Sequence, residues 1–297
     1  MTRFSFRPLA LALGAAFLFS ACDATLDPAD SAPADLTEAE IADATQIVAE
    51  ALAEDTGGFV ASARDLTASV SDGGMAWGPR GARVDAPCRN DYRLTYNATT
   101  GTHVVSYQCN VETDVVKKHY AVRIGYQYRD AAGGFVPRPV AMWDTVDTVR
   151  FEGTRNGSVT LRRDSVRWSQ STFEQDGRWA LSQLADDATP ALLSGRQTRT
   201  GTRARVTPDG SASRSYTITL SGEDIQLREG DGGLTPTASG ELAYTLTVEV
   251  TRNGETQTRE VEGVVELEGN GRALLRIFGL RGVYRVSLAD GETDRSA

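Results

Sequence analysis

The chain has 297 residues, with 40 Asp+Glu against 31 Lys+Arg, a formal charge of −9 and 40% hydrophobic residues. It is too apolar for intrinsic disorder, and its acidic balance is wrong for neutralising phosphates or docking on anionic lipid, so a general nucleic-acid binder is excluded. The length allows one large core or two modest ones.

At the N-terminus, Arg3 and Arg7 flank the start of an apolar run, Leu9 to Phe19. It has signal-peptide length and is too short to span a bilayer as a stable helix. The run closes on Leu18-Phe19-Ser20-Ala21-Cys22. Small residues before a cysteine at that place resemble the lipobox of bacterial lipoproteins, with Phe19 standing where Leu is usual. The resemblance implies that residues 1–21 are a signal peptide removed before Cys22, and that Cys22 carries the acyl chains. The expected location is the cell envelope, lipid-anchored, in the outer membrane ahead of the inner, and the membrane is then a partner through the anchor.

Residues 22–35, rich in Ala, Asp and Pro and without periodicity, read as a flexible tether. Thr37-x-x-Glu40 is a capping box opening an amphipathic helix. Ile41, Ala44, Val48 and Ala51 lie on one face, Glu38, Asp43, Glu50 and Glu54 fall elsewhere on the wheel, and the helix ends near Gly57-Gly58. A second helix runs from Phe59 to Val70. Residues 36–72 are therefore expected as a helical segment packed on a sheet, and 73–297 as an antiparallel β domain.

From about residue 90 the apolar period becomes two. Asn253-Gly254 is a two-residue hairpin signal that places Leu246 opposite Val261 and Leu242 opposite Val265. Gly269-Asn270-Gly271 then sets Leu275 against Val265, and Arg281-Gly282 sets Ile277 against Val286, so four successive strands share one apolar face. Around Thr99-Thr100-Gly101, Leu94 faces Val105 and Tyr92 faces Tyr107. Arg155-Asn156-Gly157 reads as a further hairpin turn. Residues 196–206, alternating Arg and Thr, read as an exposed strand, with the arginines of a charge-rich edge, turning at Pro208-Asp209-Gly210. The expected fold is mainly β: a large antiparallel meander of roughly ten to twelve strands curled into a barrel or half-barrel, with an N-terminal helical pair. This architecture resembles lipocalin and lipoprotein-carrier folds, with no motif of either family.

Export puts Cys88 and Cys109 in an oxidising compartment. Being the pair left after Cys22, they are expected to form a disulfide, which contributes ~3 kcal/mol in the chain-entropy model. The rival arrangement, a metal held by Cys88, His103, Cys109 and His119, lacks metal-ligand spacing. No G-x-S-x-G or H-E-x-x-H occurs, and nothing marks His103 or His119 as a base. Glu223-Asp224 is an acidic pair expected by chance among so many acids. The loop Glu229 to Gly233 lacks calcium-ligand spacing. Trp77, Trp143, Trp168 and Trp179 are candidates for a sugar platform, Trp77 first, although packing is the commoner role.

No catalytic residue, cofactor or metal is therefore assigned. The leading reading is a membrane-anchored, non-enzymatic module binding a hydrophobic ligand or an envelope component, with Gly263 and Gly279 leaving room in the cup. The alternative is a structural or protein-interaction lipoprotein with a filled β core. A transmembrane barrel and a hydrolase rank below both.

Overall fold

The computed structural model describes residues 36–70, 90–139, 141–162, 167–184, 190–207, 210–228, 237–252 and 255–296. The signal peptide, Cys22, the tether, Trp77, Cys88 and the Glu229–Gly233 loop lie outside them.

Helix α1 spans Glu38–Leu52. Its capping box forms as the sequence dictates. Thr37 Oγ1 accepts from the Glu40 amide at 3.3 Å and Glu40 Oε2 accepts from the Thr37 amide at 2.9 Å, so two orphan donors are satisfied. The helix stops at Leu52, short of Gly57. The chain then turns through Gly57 at φ +72°, and Gly58 caps helix α2, Phe59–Ala68. A Cβ on Gly58 would lie 2.4 Å from the Ala51 carbonyl oxygen, so the tight reversal between the helices needs glycine there.

Twelve strands follow: β1 Asn90–Asn97, β2 Thr102–Glu112, β3 Val116–Arg129, β4 Thr148–Arg162, β5 Trp168–Ser182, β6 Ala191–Thr207, β7 Gly210–Arg228, β8 Thr237–Arg252, β9 Glu255–Glu268, β10 Arg272–Ile277, β11 Val283–Ser287 and β12 Thr293–Ser296. Each pairs antiparallel with the next, in strict chain order, so the sheet is one meander. β1 and β12 remain its two edges, and the sheet is an open half-barrel.

The β8–β10 registers are those the turns dictate: Leu246 faces Val261, Leu242 faces Val265, and Leu275 faces Val265. The β10–β11 register differs. Val286 faces Ala273, not Ile277, because the chain turns earlier, at Gly279 with φ +77°. The displacement is an even number of residues, so the apolar side chains keep their face. Leu94 faces Val105 as expected, and a bulge between Asn90 and Arg93 then sets two residues, Asp91 and Tyr92, against one.

Two expectations are overturned. Arg155-Asn156-Gly157 is no turn, for β4 runs straight through it. Gly157 serves close strand approach instead: a Cβ there would lie 2.1 Å from the His119 carbonyl oxygen. Residues 196–206 are no exposed edge either. They belong to β6, hydrogen-bonded to β5 on one side and β7 on the other, and Arg199 and Arg203 point inward, 1% and 7% exposed.

The concave face holds the helix pair. From Ala44 to Leu52 every residue of α1 except Gln46 is buried, so the helix is enclosed all round, not covered on one stripe. Ile47, Val48, Leu52, Phe59, Val60 and Leu66 join one cluster with inward residues of β2–β11. At ~1.5–3 kcal/mol for each such side chain, these six contribute on the order of 10 kcal/mol to holding the helices in the cup.

Candidate functional site

The interior is where the sequence places a ligand, and its geometry follows from the strand rows. On β8–β11 the inward positions Leu242, Tyr244, Leu246, Val261, Val265 and Leu275 are buried and apolar apart from the Tyr244 hydroxyl, and Arg259 at the end of the β9 row approaches Glu40 of α1 at 4.0 Å. The room that Gly263 leaves is taken: its missing Cβ would lie 2.5 Å from the Tyr244 hydroxyl, which donates to the Arg276 carbonyl at 3.3 Å. Gly279 sits in the β10–β11 turn.

On β4–β6 the inward row is polar. Arg155 faces Gln175, and Gln175 faces Arg199. The helices supply acids to meet them. Glu50, on the side of α1 expected to be polar and exposed, is 3% exposed and accepts from Arg203 Nε at 2.9 Å and from Ser171 Oγ at 2.8 Å. Asp43 gathers Arg214 at 3.6 Å and Arg203 at 3.9 Å. Asp65 on α2 accepts from Arg155 at 2.8 Å and, at 3.4 Å, from the Tyr107 hydroxyl. Arg199 donates to the Thr56 carbonyl at 3.1 Å and the Tyr216 hydroxyl at 3.2 Å, and lies 3.7 Å over the Phe173 ring.

Electrostatically this seam is a clamp. Burial raises the Asp65 pKa, with Arg155 and then Arg64 opposing, and burial raises the Tyr107 and Tyr126 hydroxyls far above their ordinary value. Each of the helix acids Asp43, Glu50 and Asp65 is met by an arginine from the strands, an arrangement that fixes one docking geometry. Gly153 and Gly177 face each other and leave a hole of about 10 Å³, with the buried Gln175 Oε1 and Arg155 Nε unpaired among the described residues. That is the size of one water molecule. A second gap of about 10 Å³ lies between Asp43, Arg214 and Val261.

The remaining candidates disperse. His103 packs on the inner face between Tyr96 and Tyr128, with ring centroids at 4.6 and 5.5 Å, and burial lowers its pKa. His119 bonds Asn110 on the exposed side. Asn110 is seven residues along β2 from His103, roughly 20 Å at the usual rise, so the two histidines share no site. Trp179 is buried against Phe59 at 5.1 Å, which is packing. Asp224 lies in the β7 irregularity at φ 53°. Cys109 is fully buried beside Gln108, which pairs with Asn90. Among the described residues no cluster of three or more His, Cys, Asp or Glu side chains is placed to hold a metal, and no helix is long and apolar enough to cross a membrane.

Of the residues that matter most here, Arg199 and Arg203 belong to the arginine-rich segment that the sequence offers as an anion-binding group or, preferably, an exposed edge, whereas nothing in the sequence joins them to Glu50, Asp65 and Arg155. One signal was present. In β6 the inward parity of Leu193 continues through Gln197, Arg199 and Arg203, so a strand with an apolar start carries its arginines onto the same face. No family model, curated protein or solved structure matches the chain.

Proposed function

We propose that the protein is a lipoprotein of the bacterial cell envelope, anchored through Cys22 and expected in the outer membrane, whose half-barrel is a structural or protein-interaction module with a filled core. The observation carrying this reading is the helix pair in the cup: among the described residues, Ala44 to Leu52 and Phe59 to Leu66 fill the concave face, and the two gaps beside the helices described above are each about 10 Å³. Ligand sites are usually some thirtyfold larger or more. The outward positions on β6–β9, such as Thr200, Thr217, Glu249 and Glu260, are exposed and polar, which suits a domain held in water by its tether rather than a lipid-facing wall. A Cys88–Cys109 disulfide belongs to the same reading. Its support is the burial of Cys109 and the start of β1 at Asn90, two residues after Cys88 and opposite Gln108.

The test is intact mass spectrometry of the full chain recovered from the membranes of a Gram-negative host, with organic extraction of the same sample. The expected result is an acylated Cys22 as the new N-terminus, one disulfide, and an extract without further stoichiometric lipid. An unprocessed N-terminus would sink the anchor. A stoichiometric lipophile in the extract would replace the filled-core reading with a carrier.

A further inference from the structure

Among the described residues, a hollow near the β1 edge lies on the convex face, away from the helices. It is a cleft of about 410 Å³ across β1–β4. That is within the ordinary range for a small-molecule site. Its shape follows from two local features. The bulge at Asp91, with φ 56°, disturbs the ladder at the start of β1 and forms one wall. Ala121, exposed and flanked across the strands by Gln108 and Asn156, contributes a short side chain to the floor.

The register sets the chemistry of the lining. Arg93, Ser106, Arg123 and Thr154 are consecutive partners in one row across the four strands. The two arginines therefore stand two strand spacings apart, about 10 Å at the Cα atoms, with a serine hydroxyl between them. Neither guanidinium has a carboxylate partner among the described residues, although the chain as a whole is acidic. Within the cleft two positive charges meet one negative charge, Asp91. A guanidinium fork matches a carboxylate. Asp91 accepts hydrogen bonds only, whereas the amides of Gln108 and Asn156 both donate and accept. A ligand that is anionic throughout would meet repulsion at Asp91, and a neutral sugar would leave the arginines unused.

We propose that this cleft binds an acidic sugar, its carboxylate on Arg93 and Arg123 and its ring hydroxyls on Asp91, Gln108 and Asn156. The site goes beyond the filled-core reading and is independent of it, since it occupies the opposite face of the sheet. The experiment is calorimetric titration of the full chain with glucuronate, against glucose and inorganic sulfate. Glucuronate binds and glucose and sulfate bind at least about tenfold more weakly, because each lacks half of the recognition. Arg93→Ala and Arg123→Ala each weaken glucuronate by about tenfold or more, the scale of one hydrogen bond to a charged group. Ala121→Leu fills the floor from an exposed position, so it abolishes binding while the unfolding midpoint stays put. A uronate oligomer that binds more tightly than the monomer makes an envelope polysaccharide the source, and equal binding makes it a free sugar. Absence of glucuronate binding, equal binding of glucose or sulfate, or binding that survives Ala121→Leu in full would each overturn the proposal.

Discussion

The two flanks of the half-barrel hold the same helices by opposite means. On β8–β11 the contact is apolar: Leu246, Val261 and Leu275 meet a closed surface, and the strands are set by their turns. On β4–β6 apolar packing such as Trp179 on Phe59 is joined by an ionic seam: Arg155, Arg199 and Arg203 meet Asp65, backbone carbonyls and Glu50. Apolar burial is non-directional and by itself leaves the helix position weakly specified. The ionic flank adds little net energy, since desolvation offsets attraction, yet it accepts one position only. Position is thus specified by the β4–β6 wall of the cup, whereas apolar burial is spread over both.

The sharpest way to break that contrast is to orphan a charge. Arg203→Ala leaves Glu50 buried with Ser171 as its remaining close partner, and urea denaturation is expected to show a loss of about 3–5 kcal/mol. Replacing both partners, Glu50→Leu with Arg203→Met, is expected to regain most of that loss. A double variant as unstable as the single would mean that the seam contributes net stability after all. On the other flank Leu246→Ala is expected to cost about 2–5 kcal/mol by cavity formation, while Leu246→Met stays below about 1.5 kcal/mol. There the side-chain volume decides, whereas on the ionic flank the pairing does. At the exposed start of α1, Thr37→Ala removes the capping box and is expected to cost about 1 kcal/mol by the same measurement.

The smallest effect is a pH dependence from His103. Its folded pKa is lowered by burial, so the unfolded chain takes up the proton first as pH falls. The stability that the neutral ring contributes is present above the unfolded value, ordinarily near 6.5, and is lost as pH drops through the folded one. Unfolding midpoints at neutral and mildly acid pH should therefore diverge more for the wild type than for His103→Phe, which keeps the packing on Tyr96 and Tyr128. Equal divergence in the two proteins would assign the acid sensitivity elsewhere.

Legibility in the sequence followed the same divide. The β8–β10 hairpins can be read because two constraints coincide there: Asn253-Gly254 and Gly269-Asn270-Gly271 fix the turns, and strict alternation fixes the face. The capping box at Thr37 is likewise local. Arg155-Asn156-Gly157 deceives because Asn-Gly prefers a turn, while the evidence against one lies far along the chain: Asp65 waiting for Arg155, and the His119 carbonyl crowding Gly157. The β6 arginines deceive for the same reason. A buried arginine is recognisable only through its partner, and Glu50 is separated from Arg203 by 153 positions. As for the site, the sequence points to a hollow cup because an apolar sheet face must be covered. It places the helical segment on the sheet but does not reveal that these helices fill the cup. The convex cleft escapes local reading too, since Arg93, Ser106, Arg123 and Thr154 become neighbours only through three successive registers.

The order of elements along the chain also bears on how the protein comes together. Every strand pairs with its immediate successor, so each hairpin can close soon after it exists. The helices are the exception. A helix of α1's 15 residues is marginal alone in water, and the guanidinium that neutralises Glu50 belongs to β6. The segment that emerges first is thus completed late, when the sheet has grown far enough to enclose it. Until then its apolar and acidic residues are open to solvent, and premature burial without β6 would strand a charge. The early helices act as a template that only a nearly finished sheet can satisfy, which makes their docking a test of whether the strands have assembled in register.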